Sequence, residues 1–296
     1  MFRIQDSEVV SVQSVPAQVM DWGVHAVHAP DVWKETKGEG VKVAVLDTGV
    51  DTTHPDLIQN IKDGINLTSG NPKDFEDRQG HGTHVAGIIA GCDNDIGVIG
   101  IAPNADLYVA KILGDNGEGS IDAIIQGIAY AVHNKVDIIS MSLGCEVDPG
   151  PNLHRAIKYA YDQGIIIVAA TGNEAHGIDW PAVYDEVISV GAISKDKALA
   201  GFSNYGTQVD VVAPGVDILS TYPVGGYATL SGTSMATPIV SGVLALYVSY
   251  CKKRGIPVSP QGIMEMLSRR SDDLGERGRD NRFGNGLIDA LQLVQA

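Results

Sequence analysis

The sequence predicts an α/β protein, with a doubly wound, mainly parallel central sheet and helices on both faces. Three observations carry this reading. Short runs rich in Val and Ile recur along the chain with little polar alternation, as in strands covered on both faces. Segments with apolar residues at helical spacing lie between those runs. The chain has 296 residues, 44% of them hydrophobic, which is enough for a large core.

The strands are read as VKVAVLD (41–47), DLYVAKIL (106–113), VDIISMSL (136–143), GIIIVAATGN (164–173) and EVISVGAI (186–193). Ser120 is placed to cap a helix in which Ile121, Ile124, Ile125 and Ile128 share one face. NLHRAIKYAYDQG (152–164) closes on a glycine, a common helix stop. A long apolar helix opens inside LSGTSMATPIVSGVLALYVSY (230–250). Pro238 is read as lying in its first turn, where N–H groups have no intrahelical partner. No linker or repeat interrupts the pattern. The reading is one domain over 17–296, with residues 1–16 as an N-terminal extension.

Charge narrows the partners. The chain carries 21 Lys and Arg against 36 Asp and Glu, a formal net charge of −15. Such a surface repels phosphates and argues against nucleic acid. No apolar run is read as approaching the ~20 residues of a membrane span, so no membrane partner is expected. The opening MFRIQDSEVVSVQS lacks the apolar stretch of a secretion signal. Cys92, Cys145 and Cys251 are too few for a disulfide framework and fit a reducing compartment more easily. No Cys-x-x-Cys stands in the sequence to suggest a zinc ribbon.

In doubly wound sheets ligands bind beyond the carboxyl ends of the strands, and the polar residues cluster there. Asp47 closes the first strand; such a residue is often only a turn cap. GHGTHVAG (80–87) sets His81 between two glycines and His84 one helical turn on. A metal pair is the weaker reading, because the zinc-protease pattern His-Glu-x-x-His is absent. Asn173 follows a strand beside Gly172, as turn formers do. Its amide could also donate into a site. Ser234 opens a helix among the small residues Gly232, Thr233 and Ala236. A capping role is open to it, but the helix N-terminus also offers free N–H groups beside the hydroxyl. Together Asp, His, Asn and Ser are the parts needed for acyl transfer. Their order excludes the α/β-hydrolase arrangement, and there is no Gly-x-Ser-x-Gly elbow. Neither a Gly-x-Gly-x-x-Gly turn nor a phosphate loop supports a nucleotide-binding reading.

From about Ala17 to Ala296 the chain resembles the subtilisin-like serine proteases. The motifs are VAVLDTGVDTTHPDL, GHGTHVAG, SMSLG, AATGNE, FSNYG, VVAPG, SGTSMATP and FGNGLIDALQ. The resemblance implies that Asp47 orients His81, that His81 is the general base and acid, and that Ser234 is the nucleophile. Asn173 and the Ser234 N–H would form the oxyanion hole. The implied activity is a serine endopeptidase of broad specificity, with a preference for apolar residues before the cut. A regulatory protein on the same fold, with proteolysis lost, is the alternative.

The resemblance also assigns a cleft for polypeptide substrates. One edge would be Leu113, Gly114, Gly117, Glu118 and Gly119. The other would be Ser142, Leu143, Gly144 and Cys145. The primary pocket would lie between 142–145 and Ala169, Ala170, Thr171 and Gly172, with Glu174 at its rim. Cys145 and Thr171 depart from the family pattern, and Ile121 should open the pocket upstream of the cut. A structural calcium site is implied at Gln18, Asp56, Cys92, Asn94, Ile96 and Val98, with a second cation near Ala182, Tyr184, Val187 and Asp210. The acidic chain and short extension resemble the intracellular members. That implies a cytoplasmic protein, a dimer in that type, and an extension that lies across the active site; a secreted enzyme already trimmed of its signal and pro-domain is the alternative. The Leu-Ile-Pro-aromatic motif of such extensions is missing from FRIQDSEVV.

Overall fold

The computed structural model describes residues 1–4, 8–13, 17–68 and 70–295. The core is a seven-stranded parallel sheet in the order Val211–Pro214, Ile188–Ile193, Ile166–Ala170, Ile138–Met141, Lys42–Asp47, Asp106–Lys111, Ile61–Asn66. Val and Ile runs build it because both faces are covered. All six residues of Ile188–Ile193 are buried, and so is every residue of Lys42–Asp47 after the first. One apolar cluster lies on each face.

Two sheet strands escape the sequence reading. Ile61–Asn66 (IKDGIN) is a partly exposed edge strand with too few apolar residues to stand out. Val211–Pro214 is short and ends in proline, which the opposite edge tolerates. A separate antiparallel sheet joins Ile218–Tyr222, Gly226–Ser231 and, from the extension, Glu8–Gln13. The extension also pairs Phe2–Arg3 with Glu118–Gly119.

The helices follow their caps. Ser120 accepts from Ala123 N at 3.1 Å and starts Ile121–His133. Pro151 occupies the first turn of Pro151–Asp162. Thr233–Arg254 is long and apolar enough to cross a membrane, against the sequence reading, but 89% of its apolar window is buried and it is the central core helix. Pro238 also needs correction. It lies inside this helix, beyond the free first-turn amides, so it leaves the Ser234 carbonyl without its intrahelical donor. The Ser142 hydroxyl donates to that carbonyl instead, at 2.8 Å.

Chain order sets the site. From the central strand Lys42–Asp47, the sheet grows one way through Asp106–Lys111 and the other way from Ile138–Met141. The order reverses between Lys42–Asp47 and Ile138–Met141, the switch point where such sheets bind ligands.

Candidate active site

Val45 pairs with Ser140 in register, which puts Asp47 level with Ser142, just past the end of the neighbouring strand. His81 comes to Asp47 because its helix, His81–Ala90, starts against the turn that follows Asp47. A Cβ on Gly82 would sit 2.2 Å from the Gly49 carbonyl, and one on Gly80 would sit 2.4 Å from the Tyr222 ring. Gly80 also has φ of 111°. The two glycines therefore permit the approach that the sequence suggested, and what approaches is protein rather than ligand.

His81 Nδ1 donates to Asp47 Oδ1 at 2.8 Å, with both side chains buried. Because an ionised carboxylate only accepts, this bond fixes the tautomer and leaves Nε2 as the acceptor. Among the described residues, His81 Nε2 and Asp47 Oδ2 are buried without a further hydrogen bond. Asp47 Oδ1 also accepts from Thr48 N at 2.7 Å.

Ser234 meets the same corner through Ser142. Its hydroxyl donates to the Ser142 carbonyl at 3.3 Å. It is not hydrogen-bonded to His81 here; such contacts tighten when substrate is bound. Asn173 lies just past the end of Ile166–Ala170, the next strand along. Its Oδ1 accepts from Thr233 N at 2.9 Å and from Thr233 Oγ1 at 2.8 Å. These bonds fix the amide beside Ser234.

The sequence reading missed the residues that hold this frame. Asp77 is buried, and its carboxylate accepts from Gln79 N, Gly80 N, Thr83 N, Thr83 Oγ1 and Thr48 Oγ1 at 2.7–3.0 Å. Thr48 Oγ1 accepts from Gly82 N at 2.9 Å. Together they cap the His81 helix from outside, because Gly80 has no side chain to cap it. An Asp three residues before the Gly-His-Gly run is the signal that could have found Asp77.

His84 has a different setting. It is fully buried, and its Nε2 donates to the carbonyls of Ile218 and Ala228 at 3.1 and 3.0 Å. Burial pushes its pKa down to about 3, so it stays neutral. His81 and His84 thus serve different partners.

The expected cleft edges are occupied by the chain's own start. Phe2 pairs with Gly119 and Arg3 with Glu118. Arg3 N donates to Gly144 O at 3.2 Å, Gly144 N to Arg3 O at 3.1 Å, and Ile4 N to Gly117 O at 2.9 Å. Phe2 is fully buried in the cluster that holds Leu113 and Leu143, with Ile121 packed against it. Gly114 N closes the edge loop by donating to Glu118 O at 2.9 Å.

Several of the expected pocket residues are buried or hydrogen-bonded within the protein. Ala169 and Ala170 are fully buried within their strand, Ala169 in the apolar cluster. Gly172 N donates to Thr233 Oγ1 at 3.3 Å. The Glu174 carboxylate accepts from Asn173 N and Asn204 Nδ2, both at 2.9 Å, and so braces the turn. Cys145 is buried, which pushes its thiol up to about 11 and disfavours the reactive thiolate.

The expected cation loop is closely knit. Gln18 Nε2 donates to Cys92 O, Asn94 Oδ1 and Ile96 O at 2.8, 3.3 and 3.3 Å. Buried Asp56 accepts from Asn94 Nδ2 at 3.1 Å and from Val98 N at 2.8 Å. The second expected site differs. Asp210 pairs with Arg279 at 3.2 Å, and the same guanidinium donates to the carbonyls of Thr207 and Val209. A side-chain cation already meets that carboxylate. Tyr184 stacks on His154 at 4.3 Å, and the Ala182 and Val187 side chains are buried.

The subtilase family model matches residues 38–286. The chain belongs to the subtilase family. It is 55% identical over 233 residues to an intracellular serine protease of Paenibacillus polymyxa, covering 76% of this chain and 71% of the relative. It is 47% identical over 258 residues to the major intracellular serine protease of Bacillus subtilis (strain 168), covering 83% and 79%. Subtilisin Savinase of Lederbergia lenta is 44% identical over 276 residues, covering 93% and 98%. This subtilase is a serine protease, a hydrolase acting on polypeptides.

Proposed function

We propose that Asp47, His81 and Ser234 carry the peptide hydrolysis, with Asn173 and the Ser234 N–H as the oxyanion hole. The observation that supports this most is the buried Asp47–His81 bond, level in the sheet with the Ser142–Ser234 contact. The Ser234 hydroxyl turns from the Ser142 carbonyl to His81 Nε2, which takes its proton as Oγ attacks the substrate carbonyl carbon. Asp47 stays ionised and stabilises the imidazolium. The oxyanion is met by Asn173 Nδ2 and by the Ser234 N–H at the positive end of its helix. His81 then protonates the leaving amine, and water enters by the same route in reverse to clear the acyl-enzyme. A serine-directed sulfonyl or phosphonate reagent should label Ser234 and stop casein hydrolysis together. Activity lost to a chelator but untouched by that reagent would overturn the assignment.

The same reading makes residues 2–4 a self-occluding segment. A substrate strand needs the Gly117–Gly119 and Gly144 backbone groups that Phe2, Arg3 and Ile4 engage. Arg3→Pro, which removes one of those N–H donors, should raise the initial rate on casein. Val15 and Pro16, like residues 5–7, lie outside the described residues.

We also assign calcium to the loop around Asn94. Three oxygens converge there on one Gln18 amide nitrogen. Turning that amide would add a fourth oxygen, and the buried Asp56 carboxylate adjoins. Hard oxygen donors suit calcium. The ion would brace the loop and take no part in the chemistry. Calcium should raise the melting temperature of the protein, and Asn94→Ala should remove that rise. Two relatives named as intracellular proteases and three buried free cysteines support a cytoplasmic location, testable by cell fractionation.

A further inference from the structure

Residues 2–4 pair with both cleft edges, and their side chains mark what each position along the cleft meets. Side chains alternate along a strand. Phe2 is fully buried, and Ile4 packs against the same apolar cluster. Arg3 faces the other way, with 51% of its side chain exposed. There its Nη2 donates to Glu146 Oε1 at 3.4 Å and lies 3.9 Å from Glu174 Oε1. Arg3 also lines a cavity of about 330 Å³ with Met1, Glu118, Cys145, Glu146 and Val147, and it is the one basic side chain among them. Two carboxylates thus flank the guanidinium, and a third shares its cavity.

The register fixes which substrate residue comes to this place. Arg3 pairs with Gly144 in the antiparallel sense. In a substrate strand of the same register, the residue two places further on stands opposite Ser142. The Ser142 carbonyl holds the Ser234 hydroxyl at 3.3 Å. The residue opposite Ser142 therefore presents its carbonyl carbon to the nucleophile. Counting that residue as the first before the cut, the Arg3 place is the third. Glu146 is half exposed, so a single ion pair there is worth little. Selection comes as much from repulsion, because an acidic side chain at this place meets like charges on more than one side.

We infer that the enzyme selects Arg or Lys over acidic residues at the third position before the cleaved bond, with Glu146 and Glu174 reading that side chain. This rests on the protease reading and on substrates taking the register of residues 2–4. Arg3 is then the chain's own copy of the preferred side chain. The preference adds to an apolar one at the cut, because side chains at the two positions meet different parts of the cleft.

The test uses the full-length protein on tetrapeptide anilides that differ only in the third residue before the anilide: Arg, Gln or Glu. Casein hydrolysis is followed in parallel. Residues 2–4 compete with all three peptides alike, so ratios of kcat/KM are unaffected by occlusion. Arg should exceed Gln by about threefold and Glu by about tenfold at low ionic strength, the scale of exposed ion pairs. Both ratios should shrink in about 0.5 M salt. Glu146→Gln should cut the Arg-to-Glu ratio by about two- to threefold, and Glu146→Lys by about tenfold. Moving the Arg to the second position, where Ile4 meets the apolar cluster, should remove its advantage. Equal rates for Arg, Gln and Glu, or a ratio that neither Glu146 substitution moves, would overturn the inference while casein is still cut. An advantage that follows the Arg to the second position would also overturn it, by assigning the preference to the acidic surface as a whole. Absence of casein hydrolysis together with no labelling of Ser234 would instead remove the protease reading beneath it.

Discussion

His81 and His84 stand on one helix, one turn apart, the first between two glycines and the second between Thr83 and Val85. The first meets a carboxylate at the carboxyl edge of the sheet. The second lies inside the protein between two carbonyls of the adjoining hairpin. A carboxylate can stabilise an imidazolium, whereas a pair of carbonyls in an apolar setting holds the neutral ring. Position along the helix, not residue type, separates chemistry from architecture. Gly-His-Gly lets the helix start close enough to Asp47 for the first role, and one turn further in only the second is available.

Substitution of both histidines breaks this comparison most sharply. His81→Ala should lower kcat by about 10⁶-fold, the scale known for subtilisin-type enzymes rather than one derived from this chain. His84→Gln should retain a measurable fraction of activity. Equal losses measured on correctly folded protein would erase the distinction. Asn173→Ala should follow with about 10²–10³-fold in kcat and little change in KM, again a subtilisin-type magnitude. A loss mainly in KM would move Asn173 from the oxyanion to ground-state binding. Asp77→Asn should come next, with about 10-fold lower kcat, because misplacing His81 weakens catalysis without touching substrate. Its melting temperature should also fall, since an amide cannot accept all five of the hydrogen bonds that the carboxylate does.

Much of this was legible in the sequence, for physical reasons. Five strands showed themselves because a strand buried on both faces must be apolar throughout. Ile61–Asn66 did not, because an edge strand lacks that constraint. Asp47, His81, Asn173 and Ser234 stood at element boundaries, where polar residues beside glycine draw notice. Thr233 acts through bonds to Gly172 and Asn173, far along the chain, and no local pattern announces these; Asp77 binds the turn just after it and stands three residues before Gly-His-Gly, a local signal that went unread. Pro238 misled for a related reason. Local rules placed it in a free first turn, while the donor that makes it tolerable comes from Ser142, just past the strand Ile138–Met141.

The smallest effect is also the most specific to the interior histidine, because pH reads it directly. The His84 pKa falls from 6.5 to about 3 on folding. Between those values the unfolded chain holds the extra proton. The stabilisation is therefore complete above 6.5 and is lost as pH falls toward 3, by about 1.4 kcal/mol per pH unit. Asp21 works against it. That carboxylate is buried where it caps Trp22–Ala26, and burial raises its pKa from 3.8 to about 6. Its stabilisation is present below 3.8 and is lost as pH rises through 6. Between about pH 4 and 6 the two slopes nearly cancel. Asp21→Asn, which keeps an acceptor for Gly23 N, should uncover the His84 slope, so that urea stability declines as pH drops from 6 to 4. His84→Gln should uncover the opposite slope, with stability increasing over the same range. If neither substitution changes the slope, His84 is not held neutral by burial, and its contrast with His81 loses its electrostatic basis.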